Sequence, residues 1–369
     1  MRQTNRTWAA VILFGLVLAA CGGTAATTTT AGGDTTTSAA EETTTTAGET
    51  TTTVAEADAP TFIYITPNPI GINKFLELGQ IGTDRVAEKL GGTSRTFEST
   101  DLNSRRANLE AAVEEAPTVI VLTTFEYTEL AGEFAAANPD QEFILIDACP
   151  ESETPIENLH CGVFREHEGA YLLGLMAGNL TETKQIGSVV ALDIPFLHRW
   201  SDSFATGAQT IDPSITDSQV FIGGDNAFAD PARAKEQALA LAAQDLDNIF
   251  AVGAGSNGGI FEAAQEAGFL TYGVDVNQCP DAPGSIVDNN LKLVDNVVEQ
   301  LLDGILAGTA GPLTSFGLAE GGTGVIALSD DLADSGCVIA DHPDIVEQVQ
   351  DAADQIIAGD LVVPDPLFP

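Results

Sequence analysis

The 369-residue chain carries 54 acidic and 14 basic residues, a formal net charge of −40. Such a surface repels nucleic acid and anionic headgroups, so no nucleic-acid partner is expected, and a polyanionic ligand would need a site that concentrates the few cations. A hydrophobic content of 44% excludes a wholly disordered chain.

The first segment reads as an export signal: Arg2 and Arg6 form a positive start, residues 8–20 an apolar run, and Ala19-Ala20-Cys21 a small-small-Cys ending. The run is too short for an ordinary membrane-spanning helix. Leu18-Ala19-Ala20-Cys21-Gly22 resembles the lipobox of bacterial-type lipoproteins, which implies a signal peptide over 1–20 and lipid attachment at Cys21. The protein is then expected on the extracytoplasmic face of the cell membrane, held by lipid. Residues 24–53 are almost entirely Thr, Ala, Gly and Glu and show no apolar periodicity. Nothing there offsets the entropy of ordering a backbone, so 21–58 is predicted to be the attachment cysteine and a disordered, Thr-rich linker that supplies reach.

The remainder is longer than one hydrophobic core usually serves, which predicts two lobes. Strands are predicted at 61–65 (TFIYI), 118–122 (TVIVL), 142–146 (EFILI) and 161–164, with helices at 74–90, 126–137 and 166–180. The alternation restarts at Ile186. Strands at 186–190, 219–222, 248–252 and 269–274 then alternate with helices at 199–210, 232–243 and 258–267, the middle one opened by Pro231 at a first-turn position. Short apolar strands between amphipathic helices predict mostly parallel sheets covered on both faces. The tail is predicted as a helix at 292–306, a Gly-rich segment at 317–324 suited to a hinge or an edge, and a helix at 344–357.

Four further cysteines are Cys149, Cys161, Cys279 and Cys337. An exported location permits disulfides, and local spacing favours Cys149 with Cys161 and Cys279 with Cys337, four buried thiols being the alternative. No CxxC pair occurs and His160, His167, His198 and His342 are scattered, so neither a metal nor a cofactor is predicted. Gly253 to Gly258 imitates a phosphate loop without the Gly-Lys-Ser/Thr ending, so its glycines, Gly255 among them, predict a tight turn approaching a ligand in the cleft. GxSxG and HExxH are both missing, and the expectation is a binding protein and not an enzyme, a hydrolase being the enzymatic alternative.

Several segments resemble the basic membrane protein (BMP) family of substrate-binding lipoproteins, also described as purine nucleoside receptor A-like. They include GVFREHEGAYLLGLMAG (162–178), IGSVVALDIPFLHRWSDSFATG (186–207), DPARAKEQALAL (230–241), IFAVGAGSNGGIFEAAQEAG (249–268), YGVDVNQ (272–278), NNLKLVDNVV (289–298) and FGLAEGGTG (316–324). The resemblance implies a type I periplasmic-binding-protein fold: two Rossmann-like α/β lobes joined by a three-stranded hinge. It puts lobe 1 at 59–184, lobe 2 at 185–284, and the return to lobe 1, hinge and C-terminal segment at 285–369. It further implies a monomeric receptor that captures a nucleoside, commonly a purine, for an ABC permease and ATPase complex. Sensing, or capture of a non-nucleoside solute, are the alternatives.

In the family the base lies between aromatic rings, while an Asp and a Lys meet the ribose. Asp275 matches that Asp; it follows a predicted strand at its cleft end and offers four lone-pair sites to sugar hydroxyls. Lys292 matches the Lys, and would reach a sugar oxygen or pair with Asp275, although Leu293 stands where the family commonly has Arg. Phe75 in GINKF resembles the aromatic of the family's DKSFN segment, with Asn73 and Lys74 as loop donors; the Asp and Ser of that pattern are missing, so base recognition is expected to differ. Trp200 occupies the aromatic position of IPxxRRF, with Arg199 retained and His198 replacing the other arginine. Phe125, Glu126 and Tyr127 follow a strand at the presumed cleft mouth, where Glu126 would accept N–H groups from a purine edge. Asn277 and Gln278 complete the candidates.

Overall fold

The computed structural model describes residues 59–367 except Ile72 and Glu153, so the signal, Cys21 and the Thr-rich linker lie outside the described residues. In chain order the first lobe contains β1 (Thr61–Thr66), α1 (Lys74–Lys89), β2 (Thr93–Glu98), α2 (Leu102–Glu115), β3 (Val119–Thr123), α3 (Thr128–Ala137), β4 (Glu142–Ile146) and β5 (Leu159–Phe164). The chain then forms α4 (Glu166–Leu180), β6 (Gln185–Val190), α5 (Pro195–Ile211), β7 (Thr216–Phe221), α6 (Pro231–Ala242), β8 (Asn248–Val252), α7 (Asn257–Ala267), β9 (Leu270–Asp275) and β10 (Ile286–Lys292). The last elements are α8 (Val294–Leu306), β11 (Leu313–Phe316), β12 (Thr323–Val325) and α9 (Pro343–Ala358).

Two six-stranded sheets result, ordered β11-β5-β4-β3-β1-β2 and β12-β10-β9-β8-β6-β7. Every pairing is parallel except β10 with β12. The strand period of two distributes the first lobe's core: Phe62, Tyr64, Val119, Val121, Ile144 and Ile146 face one helical layer, and Ile63, Ile65, Ile120, Leu122, Phe143 and Leu145 the other. Burial on both faces is why these strands read as continuous apolar runs. In the second lobe, α4 and α5 pack backbone to backbone. A Cβ on Gly174 would lie 2.1 Å from the Phe204 carbonyl oxygen, and one on Gly207 2.1 Å from that of Tyr171.

Sheet membership moves the lobe boundaries that the sequence suggests. Helix α4, expected in lobe 1, packs in the second core with α5, and β10, expected to begin the return, pairs with β9. Helix α8 and β11 lie in the first lobe, while β12 and α9 belong to the second. The chain therefore crosses three times: at Phe164–Glu166, at Lys292–Val294, and between β11 and β12. The physical reason is that periodicity reports which residues of an element are buried, not which sheet the element joins.

Four elements are absent from the sequence reading, the short strand β11 among them. Strand β2 is a polar edge and α2 buries only Leu109 and Ala112 in its span, so neither carries a strong apolar pattern. Strand β10 is hidden because Asp288, Asn289, Asn290 and Lys292 are buried polar residues. Lys292 accordingly ends a strand and does not open a helix.

Both expected disulfides are present, Cys149–Cys161 and Cys279–Cys337. Among the described residues no helix is long and apolar enough to cross a membrane.

Candidate functional site

The C-terminal ends of parallel strands from both lobes face a cavity of about 140 Å³. Four non-glycine residues at those ends hold positive φ: Thr124 (81°) after β3, Asp147 (71°) after β4, Ala254 (49°) after β8 and Asp275 (69°) closing β9. All four line the cavity. Left-handed backbone at such residues costs roughly 1–3 kcal/mol each and persists where the surroundings impose it, commonly at ligand sites. Here it turns the two aspartates into the cleft from opposite lobes.

Lys292 stands at the second crossing with its side chain 4% exposed. Its Nζ lies 2.6 Å from Asp147 Oδ1 and 3.0 Å from Glu166 Oε1. Around it are the rings of Phe75 at 5.2 Å, Phe164 at 5.0 Å, Phe196 at 5.1 Å and Trp200 at 5.3 Å, within cation–π range. Burial pushes the ammonium toward its neutral form, but Asp147, Glu166 and Asp275 outweigh it and hold the pKa above the ordinary lysine value. The partner differs from the expected one: the short contact is with Asp147, and Asp275 acts on Lys292 through its field.

The carboxylates pay the complementary cost. Burial, with Glu166 adding repulsion, pushes Asp147 up to about 7 despite Lys292 beside it. Burial pushes Asp275 up to about 6. Three carboxyl groups share one ammonium, so these two aspartates titrate near neutrality and are suited to accept hydrogen bonds from a hydroxylated ligand.

The remaining candidates divide between two cavities. Phe75, Trp200, Asn73 and Glu126 line the first with Asp275 and Lys292. Asn73 also caps α1 by accepting from the Phe75 N–H at 3.2 Å. Trp200 is 3% exposed and packs against Phe250, so most of its ring is core. Glu126 accepts from the Thr124 hydroxyl at 2.5 Å, which aims its carboxylate at the cavity wall beside the exposed ring of Phe125. Tyr127 is fully buried and donates to the Thr66 carbonyl, so it is a core residue.

Gly255 and Asn277 line an adjoining cavity of about 680 Å³ that also touches Asn73, Lys74 and Asp275. Asn277 donates to the Ser335 carbonyl and accepts from the Cys279 N–H, fixing the loop behind Asp275. The close approach at Gly255 is to the Phe228 carbonyl oxygen, 2.8 Å from where a Cβ would stand. Gln278 accepts from the Asn257 amide and the Val274 N–H.

Sequence reasoning missed Asp147, Glu166 and Phe196. Asp147 had a usable signal, because it follows EFILI just as Asp275 follows its own strand. Glu166 and Phe196 sit in segments that carried the resemblance, yet only the fold brings them to Lys292. Among the described residues no group of three or more His, Cys, Asp or Glu side chains is arranged to hold a metal ion.

Two α/β lobes, strand ends facing one another across a charged and aromatic cavity, and three chain crossings behind it define an interlobe solute receptor. The comparisons give the family. A profile described as "ABC transporter substrate-binding protein PnrA-like" (Bmp) matches residues 73–352. The chain belongs to this family of ABC transporter substrate-binding proteins. It is similar to "Basic membrane protein A" of Borreliella burgdorferi, 26% identical over 276 residues that cover 73% of this chain and 80% of that protein. It is also similar to "ABC transporter nucleoside-binding protein BmpA" of Lactococcus lactis, 25% identical over 293 residues, covering 74% and 79% respectively. Among solved structures, an ABC transporter system solute-binding protein from Aeropyrum pernix shares the fold with a TM-score of 0.70 at 24% identity, over 83% of this chain and 94% of that one. The fold is that of type I periplasmic binding proteins.

Proposed function

We propose that this chain is the extracytoplasmic receptor of an ABC importer, that it captures a nucleoside between its lobes, and that it delivers it to the permease and ATPase complex. The observation that carries the reading is Lys292 ringed by four aromatic side chains, with Asp147 and Asp275 entering from opposite lobes. Of these rings Phe75, Phe196 and the edge of Trp200 line the cavity and supply surface for a planar base, and the aspartates accept from ribose hydroxyls on either side of the ammonium. The protein named for nucleoside binding in L. lactis supports the same ligand class. Binding is stoichiometric, without turnover, by a monomer. Lipid on Cys21 and the Thr-rich arm hold the receptor at the membrane.

A thermal-shift series with inosine, adenosine, guanosine, free bases and ribose tests the ligand. A ligand at one hundred times its Kd stabilises the folded state by about 2.7 kcal/mol, so a true ligand raises Tm clearly. Nucleosides are expected to do so and free ribose is not; stabilisation by sugars alone would overturn the nucleoside reading. Replacing Cys21 by Ser is expected to release the protein into the medium, and full membrane retention would refute the lipid anchor.

A further inference from the structure

Behind the ligand cavity, the segment after α9 runs along the second lobe, with Val363 buried in its core. Asp365 on that segment meets Arg199 of α5 in a two-point grip: Nε donates to Oδ1 at 2.9 Å and Nη2 to Oδ2 at 2.5 Å. The third nitrogen of the same guanidinium, Nη1, donates to the Phe164 carbonyl at 2.8 Å and to Glu166 Oε2 at 3.0 Å. Glu166 in turn presents its other oxygen, Oε1, to Lys292 Nζ at 3.0 Å. An unbroken chain of charged contacts thus runs from the C-terminal segment, through the first crossing, to the ammonium in the cavity. Arg199 and Glu166 are buried, where such pairs are screened little and a planar fork fixes direction as well as energy.

We propose that Asp365 is a positioning residue for the ligand site. By holding two of the guanidinium nitrogens, it leaves Arg199 a single contact with Glu166 and keeps Glu166 divided between Arg199 and Lys292. Without the Asp365 carboxylate, the pull of Arg199 on Glu166 grows and draws it from Lys292, which then loses one of its two carboxylate contacts. The Phe164 carbonyl held by the same nitrogen makes this grip part of the first crossing as well.

The test uses the full chain with Asp365→Asn and Asp365→Glu. Two quantities are read: the Kd for inosine, and the rate of amine labelling at Lys292, followed by mass spectrometry of the ligand-free protein relative to Lys74, which is 57% exposed. Asp365→Asn is expected to weaken inosine binding roughly tenfold and to raise Lys292 labelling several-fold, as coupled residues in one network do, while Asp365→Glu restores most of both. A merely structural role would lower Tm and leave the Kd and the labelling ratio at wild-type values, and that result overturns the proposal. Should Asp365→Asn not fold, Arg199→Lys replaces it, since a lysine cannot hold Asp365 at two points, and the same two outcomes decide. The ligand arm rests on the nucleoside reading, whereas the labelling arm does not: a wild-type protein indifferent to inosine refutes the former and leaves labelling to judge Asp365.

Discussion

Lys292 is the residue on which the site's electrostatics turn. Replacing it by Met removes the cation and leaves Asp147 and Glu166 buried beside each other. Breaking a buried pair in this way costs about 3–5 kcal/mol, and ligand affinity should fall with it. Chemical denaturation of Lys292→Met checks the stability loss, and unchanged stability would show that Lys292 does not compensate those acids. The aspartates give a pH signature. Asp147 and Asp275 are raised to about 7 and about 6, against an ordinary Asp value of 3.8. A raised carboxyl contributes stability that is fully present below the unfolded value and lost as pH rises through the folded one. The ligand-free protein should therefore lose this contribution between about pH 4 and 7. Asp147→Asn should flatten that part of the profile, measured by Tm at stepped pH. Nucleoside hydroxyls donate to the ionised form, so affinity should instead rise over the upper half of this window, and Asp275→Asn should blunt the rise. Asp275 was legible because its strand, its position at the strand end and its matching motif agreed. Asp147 has the first two but no motif, and its role depends on a left-handed turn and a lysine 145 positions away.

At the scale of elements, the two disulfides stand just beyond the two cleft aspartates. Cys149 follows Asp147 by two positions and is bonded to Cys161 of β5; Cys279 follows Asp275 by four and is bonded to Cys337 ahead of α9. Each bond secures the chain leaving a cavity-lining carboxylate. Removing either should cost about 2–4 kcal/mol through the unfolded chain. The more specific expectation is a weaker Kd for the paired Cys279→Ser and Cys337→Ser variant at temperatures where it remains folded. Titration calorimetry that gives the wild-type Kd would show that the second bond serves stability only. The spacing of the cysteines made these pairings legible. The polar burial in β10 concealed a strand that carries both Lys292 and Asp288, whose carboxylate accepts from the Ile326 and Ala327 N–H groups.

For the whole molecule, three crossings make rigid-body closure about a hinge the expected motion. Arg165 ties the first crossing to the third through Glu168 at 2.5 Å and Glu320 at 2.5 Å, with the Ser315 carbonyl between. The net charge of −40 acts on every conformation through self-repulsion, which added salt screens. Thermal stability is expected to rise as sodium chloride is increased from low concentration toward about 1 M, where screening reaches to within about 3 Å. A flat or falling Tm over that range would mean that surface repulsion does not limit stability.

By itself the sequence determined the alternating α/β architecture and the two lobes, favoured the cysteine pairings, and through its resemblance to a family marked Asp275, Lys292 and Phe75 as candidates. Those properties are written in local periodicity, in spacing and in motifs that survive along the chain. Tertiary structure alone decided which sheet receives α4, β10, α8 and β12, because membership of a sheet is a relation between distant segments. It also decided that Asp147, Glu166 and Phe196 meet at Lys292, and that Asp365 reaches the same network through Arg199. Charges separated by scores of residues acquire their energies only when the fold brings them together and excludes water.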